Sequence, residues 1–179
     1  LVRDAGHASG WRYDRAGLTG DRIFKDKALD LPADLDGLDL LAEMLRQFAV
    51  REPEKVLTLN VHRHISRLAE VLPQARIIHL LRDPRDGARS AVGRGWNGIS
   101  YFGINSWLKT EKDWEAAAPA LPQDQVLDVH FETLMEDIDG ELRRVSAFLG
   151  VPFQTEMLSY HETTTYGPPA PRLATQWKR

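Results

Sequence analysis

The stretch "ARIIHLLRDPRDGARSAV", residues 75–92, constrains the fold more than any other part of the chain. Its first half is an apolar run of strand length, the pattern of a parallel strand covered on both faces. Its second half opens on Asp83 followed by Pro84, a capping residue and a first-turn proline that start a helix. A strand passing into a helix across a charged turn belongs to an open α/β sheet, where ligands bind beyond the carboxyl ends of the strands. Arg82 stands at such an end. The helix after it would present free backbone N–H groups and a positive dipole end there, which suits an anion. Within Arg82 to Arg94, four arginines (82, 85, 89, 94) face two aspartates (83, 86), a local surplus of two positive charges. Ser90 lies seven residues beyond Asp83, so two helical turns return it to the same face, and Gly87 leaves that face open. A guanidinium fork and a hydroxyl converging on one point make a phosphate clasp. The same charges also read as internal pairs of an ordinary loop, with Arg82 and Arg85 bound to Asp83, Asp86 or neighbouring carboxylates.

Such a cluster has to act locally, because the net charge of the 179 residues is −3 and offers no global field for nucleic acid or an acidic membrane. No run approaches the ~20 apolar residues of a membrane span, and "LVRDAGHASG" lacks the apolar core of a secretory signal. The absence of cysteine removes disulfides and thiolate metal sites and fits a reducing, cytoplasmic setting. Along the chain, the first 35 residues and the proline-rich tail from Tyr160 read as irregular. From Asp36, residues Leu38, Leu41, Met44, Leu45 and Phe48 fall on one helical face. "KVLTLN", Lys55 to Asn60, reads as a short strand, and Ile65, Leu68, Ala69 and Leu72 as another helix. After the glycine-rich "GRGWNGISYFG" comes a helix from about Ile104 to Ala118, then "QVLDVHF" as a third strand. Thr133 and Glu136 fit a T-x-x-E capping box, and Leu142, Val145, Phe148 and Leu149 line a helix stopped by Gly150. This alternation predicts an α/β fold with a parallel central sheet flanked by helices.

These segments, in this order, resemble the sulfotransferases that use 3′-phosphoadenosine 5′-phosphosulfate (PAPS). "RIIHLLRDPRDGARSAV" is similar to that family's 3′-phosphate segment, with its serine eight residues after the first arginine. "PQAR" resembles the lead-in to that strand, and Trp107 falls where an arginine–tryptophan helix often sits. "VLDVHFETLMED" is similar to the family's later strand end, "LRRVSAFLGVPF" to the helix after it, and "TQWKR" to a segment near the co-substrate. The resemblance covers about Lys55 to Arg179. It implies a P-loop NTPase-like sulfotransferase fold in a single domain over residues 1–179, with 55–179 as the PAPS-binding core and 1–54 as a variable, acceptor-side region.

The resemblance further implies that Arg82 and Ser90 grip the 3′-phosphate. It sets Phe131 near the adenine, although a core aromatic ending a strand is an equal reading. Lys178, Arg179 or Arg172 would reach a phosphate from the tail, or stand as solvated surface. Sulfuryl transfer to a hydroxyl or amine needs in-line geometry, charge stabilisation and a base, and no metal. The family's base region maps onto "LTLNVHRHISRL", giving His62 first and His64 in reserve, against the alternative of capping or surface histidines. A metal centre built from these with His79 or His130 lacks any H-E-x-x-H spacing. Asp137 and Asp139 read as the negative first turn of a helix. A small-molecule or glycan acceptor would meet Trp11, Tyr13, Trp96, Tyr101 and Phe102, and a sugar, lipid, phenol or peptide all fit such aromatics.

Three departures stand out. Gly87 replaces the family's usual valine, a loss of about 1 kcal/mol in helix propensity. "NVH" replaces a K-T-P-type string. The 5′-phosphosulfate loop, a glycine, serine and threonine turn with a lysine after an apolar strand, has no match, since "HASG" and "AGLTG" lack that strand and lysine. The sequence therefore reads as incomplete at its N-terminus, and at its C-terminus too. The rival readings are a nucleotide-kinase-like phosphoryl transferase, which needs a Walker A loop and Mg²⁺ carboxylates, and a noncatalytic nucleotide-binding module.

Overall fold

The computed structural model describes residues 15–20, 28–51, 53–61, 69–70, 72–93, 95 and 98–162. It divides into two units, Leu1–Ala75 and Arg76–Arg179.

In the first unit, leucines at helical spacing build a small apolar core. Helix α2 (Gly37–Arg51) buries Leu40, Leu41, Met44 and Leu45 along one stripe. Against it packs Leu18 from the short helix α1 (Arg15–Gly20), within a region expected to be irregular. Each fully buried leucine contributes about 1.5–3 kcal/mol. Leu29, Leu31 and Leu35 cover the cluster from the segment between the helices. Residues 28–36 there form no helix or strand, so their carbonyls need outside donors. Arg15 donates to the carbonyls of Pro32 (2.7 Å), Leu35 (3.1 Å) and Leu31 (3.0 Å). Gln47 meets the backbone of Asp30 twice, accepting from its N–H at 3.0 Å and donating to its carbonyl at 2.6 Å. "KVLTLN" does not form the expected strand: residues 56–60 carry no ladder, and Val56 and Leu57 are exposed. Its apolar alternation signals only a capacity to pair, which a neighbouring strand must complete.

In the second unit, β1 (Ile77–Leu81) pairs in parallel with β2 (Val126–His130), in the register Ile77↔Val126 to Leu81↔His130. Parallel neighbours need a long crossover, supplied here by helices α3 (Pro84–Gly93) and α4 (Ser100–Ala117). After β2 come α5 (Phe131–Glu136), α6 (Ile138–Leu149) and a 3₁₀ segment, Thr155–Glu162. The expected coverage of β1 on both faces is not met, since Ile78 and Leu80 remain 37% and 55% exposed. The other face is covered in part, and His79 there stacks on Trp114 of α4 with ring centroids 4.2 Å apart.

Several boundaries differ from the sequence expectation for physical reasons. Helix α4 starts at Ser100 rather than near Ile104, which takes Gly103 out of the glycine-rich loop and into the helix. Gly103 is buried against α3: a Cβ added there would lie 2.7 Å from Ala88 Cα and 2.8 Å from Ala88 Cβ. The glycine marks a close helix crossing and no turn. The T-x-x-E box does not form, because Thr133 lies inside α5 and its carbonyl accepts from Asp137 N–H at 2.8 Å. Asp137 itself caps α6, accepting from Gly140 N–H at 2.9 Å. Asp139 then occupies the first turn, as expected of a negative helix start, and pairs with Arg143. Gly150 ends α6 as anticipated, in a left-handed conformation (φ 71°), with Val151 N–H bonded to the Ser146 carbonyl at 3.0 Å.

Replacing Gly103 by alanine is expected to cost about 1–3 kcal/mol by forcing α3 and α4 apart. Gly87→Ala, where an added Cβ meets nothing within 4 Å, is expected to be neutral or to stabilise α3 by up to about 1 kcal/mol. Urea midpoints at unchanged slope measure both.

Candidate active site

The ends of β1 and β2 lie side by side, so the residues just beyond each strand meet. Arg82 follows Leu81, and Phe131 follows His130, the partner of Leu81 in the register. The Arg82 guanidinium carbon stands 4.2 Å from the centre of the Phe131 ring. A guanidinium at this distance is attracted by the negative face of the ring. One residue further along each chain, the backbone N–H of Asp83 donates to Glu132 Oε1 at 2.9 Å. Two contacts thus join the dipeptide 82–83 to the dipeptide 131–132.

Helix α3 begins as anticipated at Pro84, with Asp83 as its cap. Asp83 Oδ1 accepts from the backbone N–H of Arg85 at 2.9 Å. The amide of Asp86 donates to the same carboxylate, and the Gly87 N–H bonds the Asp83 carbonyl at 3.0 Å. The expectation that this helix start would offer free N–H groups to an anion is therefore corrected: the chain's own carboxylate occupies them. Arg85 also folds back onto Asp83, its Nε 2.9 Å from Oδ1. The internal pairing weighed against a clasp is real for Arg85. Asp86 is fully buried in the first turn. Ser90 is half-buried on α3, two turns beyond the cap, and open space surrounds the position a Cβ would take at Gly87.

Of the residues singled out in the sequence, the structure joins Arg82 and Phe131 directly and sets Ser90 on the helix that follows Arg82. Phe131, expected either near an adenine or as a strand-ending core aromatic, is half-buried and carries the arginine on its ring. His62, His64, Arg172, Lys178 and Arg179 lie outside the described residues, as do Trp11, Tyr13 and Trp96. Tyr101 and Phe102 are in the first turn of α4, 64% and 57% exposed and edge-to-face at 5.6 Å. His79 has both ring nitrogens engaged by carboxylates from different elements. Nδ1 is 2.9 Å from Asp128 Oδ1, and Nε2 is 3.2 Å from Glu111 Oε2. Carboxylates on opposite sides of a ring cannot converge on one ion, so the cluster braces the sheet against α4. Sequence reasoning gave Glu132 no role, although it stands as an acid directly after an apolar strand, within the segment "VLDVHFETLMED" that resembles the family's strand end.

A family-wide sequence pattern described as "Sulfotransferase family" matches residues 7–155. The chain belongs to that family. Among curated sulfotransferases, it is 26% identical over 102 residues to protein-tyrosine sulfotransferase A of Caenorhabditis elegans, covering 53% of this chain and 26% of that protein. It is 24% identical over 160 residues to protein-tyrosine sulfotransferase 1 of Danio rerio, covering 84% of this chain and 41% of the relative. The chain thus spans less than half the length of either. Its fold matches the sulfotransferase domain of the Synechococcus olefin synthase with a TM-score of 0.68 at 20% identity, over 78% of this chain and 57% of that domain. The small parallel sheet with its helices is accordingly an α/β sulfotransferase fold. Among the described residues, no helix is long and apolar enough to cross a membrane.

The electrostatics of this sulfotransferase turn are set by the Asp83–Arg85 pair. The Arg85 guanidinium holds the Asp83 carboxyl below its usual range; burial opposes the shift, and the amides of Arg85 and Asp86 add to it. The same pairing raises Arg85. A carboxyl with a lowered folded value stabilises fully above the ordinary aspartate range, and that contribution is lost as pH falls through the lowered value. Urea midpoints followed from neutrality to about pH 2 are therefore expected to fall more steeply below about pH 4 in the wild type than in Asp83→Asn, which keeps a capping side chain without the titration.

Proposed function

We propose that the chain is the nucleotide-gripping part of a PAPS-dependent sulfotransferase that transfers a sulfuryl group to a hydroxyl or amine acceptor. The observation that carries this reading is Arg82, held over Phe131 at the carboxyl ends of two parallel strands. The residues suit a phosphate: a guanidinium at the strand end, a serine two turns along the next helix, and open space at Gly87 between them. With Asp83 occupying the start of α3, the grip falls to side chains, Arg82 as a charged fork and Ser90 as a hydroxyl donor. When bound, PAPS supplies the sulfuryl group, and 3′-phosphoadenosine 5′-phosphate leaves.

In this reading His62, with His64 in reserve, takes the proton released by the acceptor, and Lys178 and Arg179 add charge at the nucleotide. Phe131 supports Arg82 and presents an aromatic surface beside the nucleotide. Exposed Tyr101 and Phe102 offer a stacking surface to the acceptor. The names of the two curated relatives favour a phenolic hydroxyl on a peptide as the first acceptor to test, with small molecules and glycans next. A reducing, cytoplasmic setting agrees with a chain free of cysteine.

Calorimetry with 3′-phosphoadenosine 5′-phosphate tests the grip. Arg82→Ala is expected to weaken binding by about 1.5–3 kcal/mol, the range for a hydrogen bond to a charged group, and unchanged affinity would remove Arg82 from the site. With an acceptor that turns over, His62→Ala is expected to lower kcat by on the order of 10²-fold or more while nucleotide affinity stays as in the wild type; full turnover would dismiss His62 as the base.

A further inference from the structure

We propose that Glu132 is a positioning residue for the nucleotide site, fixing Arg82 through the backbone of Asp83. The inference rests on the reading of Arg82 as the phosphate grip and adds a residue to it. Its starting point is the backbone between β1 and α3. The sheet ladder ends at Leu81 and His130, so β2 offers no ladder carbonyl for the N–H of Asp83. Pro84 has no N–H, and the amides of Arg85 and Asp86 are taken by the Asp83 carboxylate. The Asp83 N–H is thus the last donor before the helix, and it goes to Glu132 Oε1 at 2.9 Å.

This bond lies one residue from Arg82 at one end and one residue from Phe131 at the other. It therefore spans the same gap as the guanidinium-to-ring contact at 4.2 Å. The backbone hydrogen bond fixes the separation of the two strand ends, and that separation determines whether the guanidinium can rest on the ring. A charged acceptor is well suited to this, since hydrogen bonds to carboxylates are shorter and stronger than neutral ones. As a bare charge, however, Glu132 opposes the grip, because an anion so near the phosphate site repels the phosphate. Hydrogen bonding and charge thus act in opposite directions on nucleotide affinity, and substitution separates them.

The experiment is calorimetry of the whole chain with 3′-phosphoadenosine 5′-phosphate, with urea stability measured on every variant. Glu132→Ala removes the acceptor and is expected to weaken binding on the order of tenfold, as for loss of one net hydrogen bond. Glu132→Gln keeps an acceptor oxygen and discards the charge, and its affinity is expected to equal or exceed that of the wild type. In the double variant Arg82→Ala/Glu132→Ala, affinity is expected to equal or exceed that of Arg82→Ala alone, because a residue acting through Arg82 has nothing left to position and its charge no longer repels the phosphate. Should Glu132→Ala not fold, Glu132→Asp carries the same comparison by keeping the charge and shortening the reach, with weakened binding expected.

Glutamine binding as poorly as alanine, or additive losses in the double variant, would overturn the positioning role while leaving the grip intact. Wild-type affinity in Glu132→Ala, together with weak binding in Arg82→Ala, has the same meaning. Wild-type affinity in Arg82→Ala overturns both the grip and the inference built on it.

Discussion

Parallel pairing of Ile77–Leu81 with Val126–His130 determines where the chemistry of the second unit can be. Because the two strands run the same way and finish level, the residues that follow them leave the sheet together. Arg82, Asp83, Phe131 and Glu132 are remote in sequence and adjacent only through that register. A slip of one residue would turn each strand's alternation over to the opposite face and part the arginine from its ring. The brace of His79 between Asp128 and Glu111 lies lower in the same register, His79 pairing with Asp128, and opposes such a slip.

The turn after β1 ties part of its charge into the fold itself. Asp83 satisfies the first amides of α3 and draws Arg85 onto itself, so neither the helix start nor Arg85 remains open to an anion. Arg82 instead lies over an aromatic ring, its guanidinium carbon 4.2 Å from the centre of Phe131. The positive dipole end of α3 is thus partly answered by the chain's own carboxylate.

The elements legible in the sequence were those whose cause is local. Asp83 and Pro84 start α3, Gly150 stops α6, and the leucine stripe of α2 is a matter of periodicity. What escaped was settled by distant partners. Gly103 looked like loop because glycine is a poor helix residue, yet its lack of a Cβ is what Ala88 of the opposing helix requires. Thr133 and Glu136 satisfied a capping pattern, but Asp137 stood nearer the true helix start and took the role. Val56 and Leu57 have strand-forming side chains, yet residues 56–60 carry no ladder among the described residues. At the site, Arg82, Ser90 and Phe131 could be chosen by motif, whereas the bond from Asp83 to Glu132 bridges 49 residues and leaves no periodic trace.

Arg76 opens the second unit, and its guanidinium donates at 2.6 Å to the carbonyl of Phe148, 72 residues later, where α6 is about to end. Its charge lies 5.9 Å from the Phe148 ring and close to the negative terminus of that helix. A contact of such long sequence separation is slow to form, since the intervening chain must first be gathered in. On a ribosome, the strand Ile77–Leu81 would leave the exit tunnel before its partner Val126–His130 and Phe148 exist, so the nascent unit passes through an interval with that strand unpaired and unfastened. That interval is where a chaperone would find its hold.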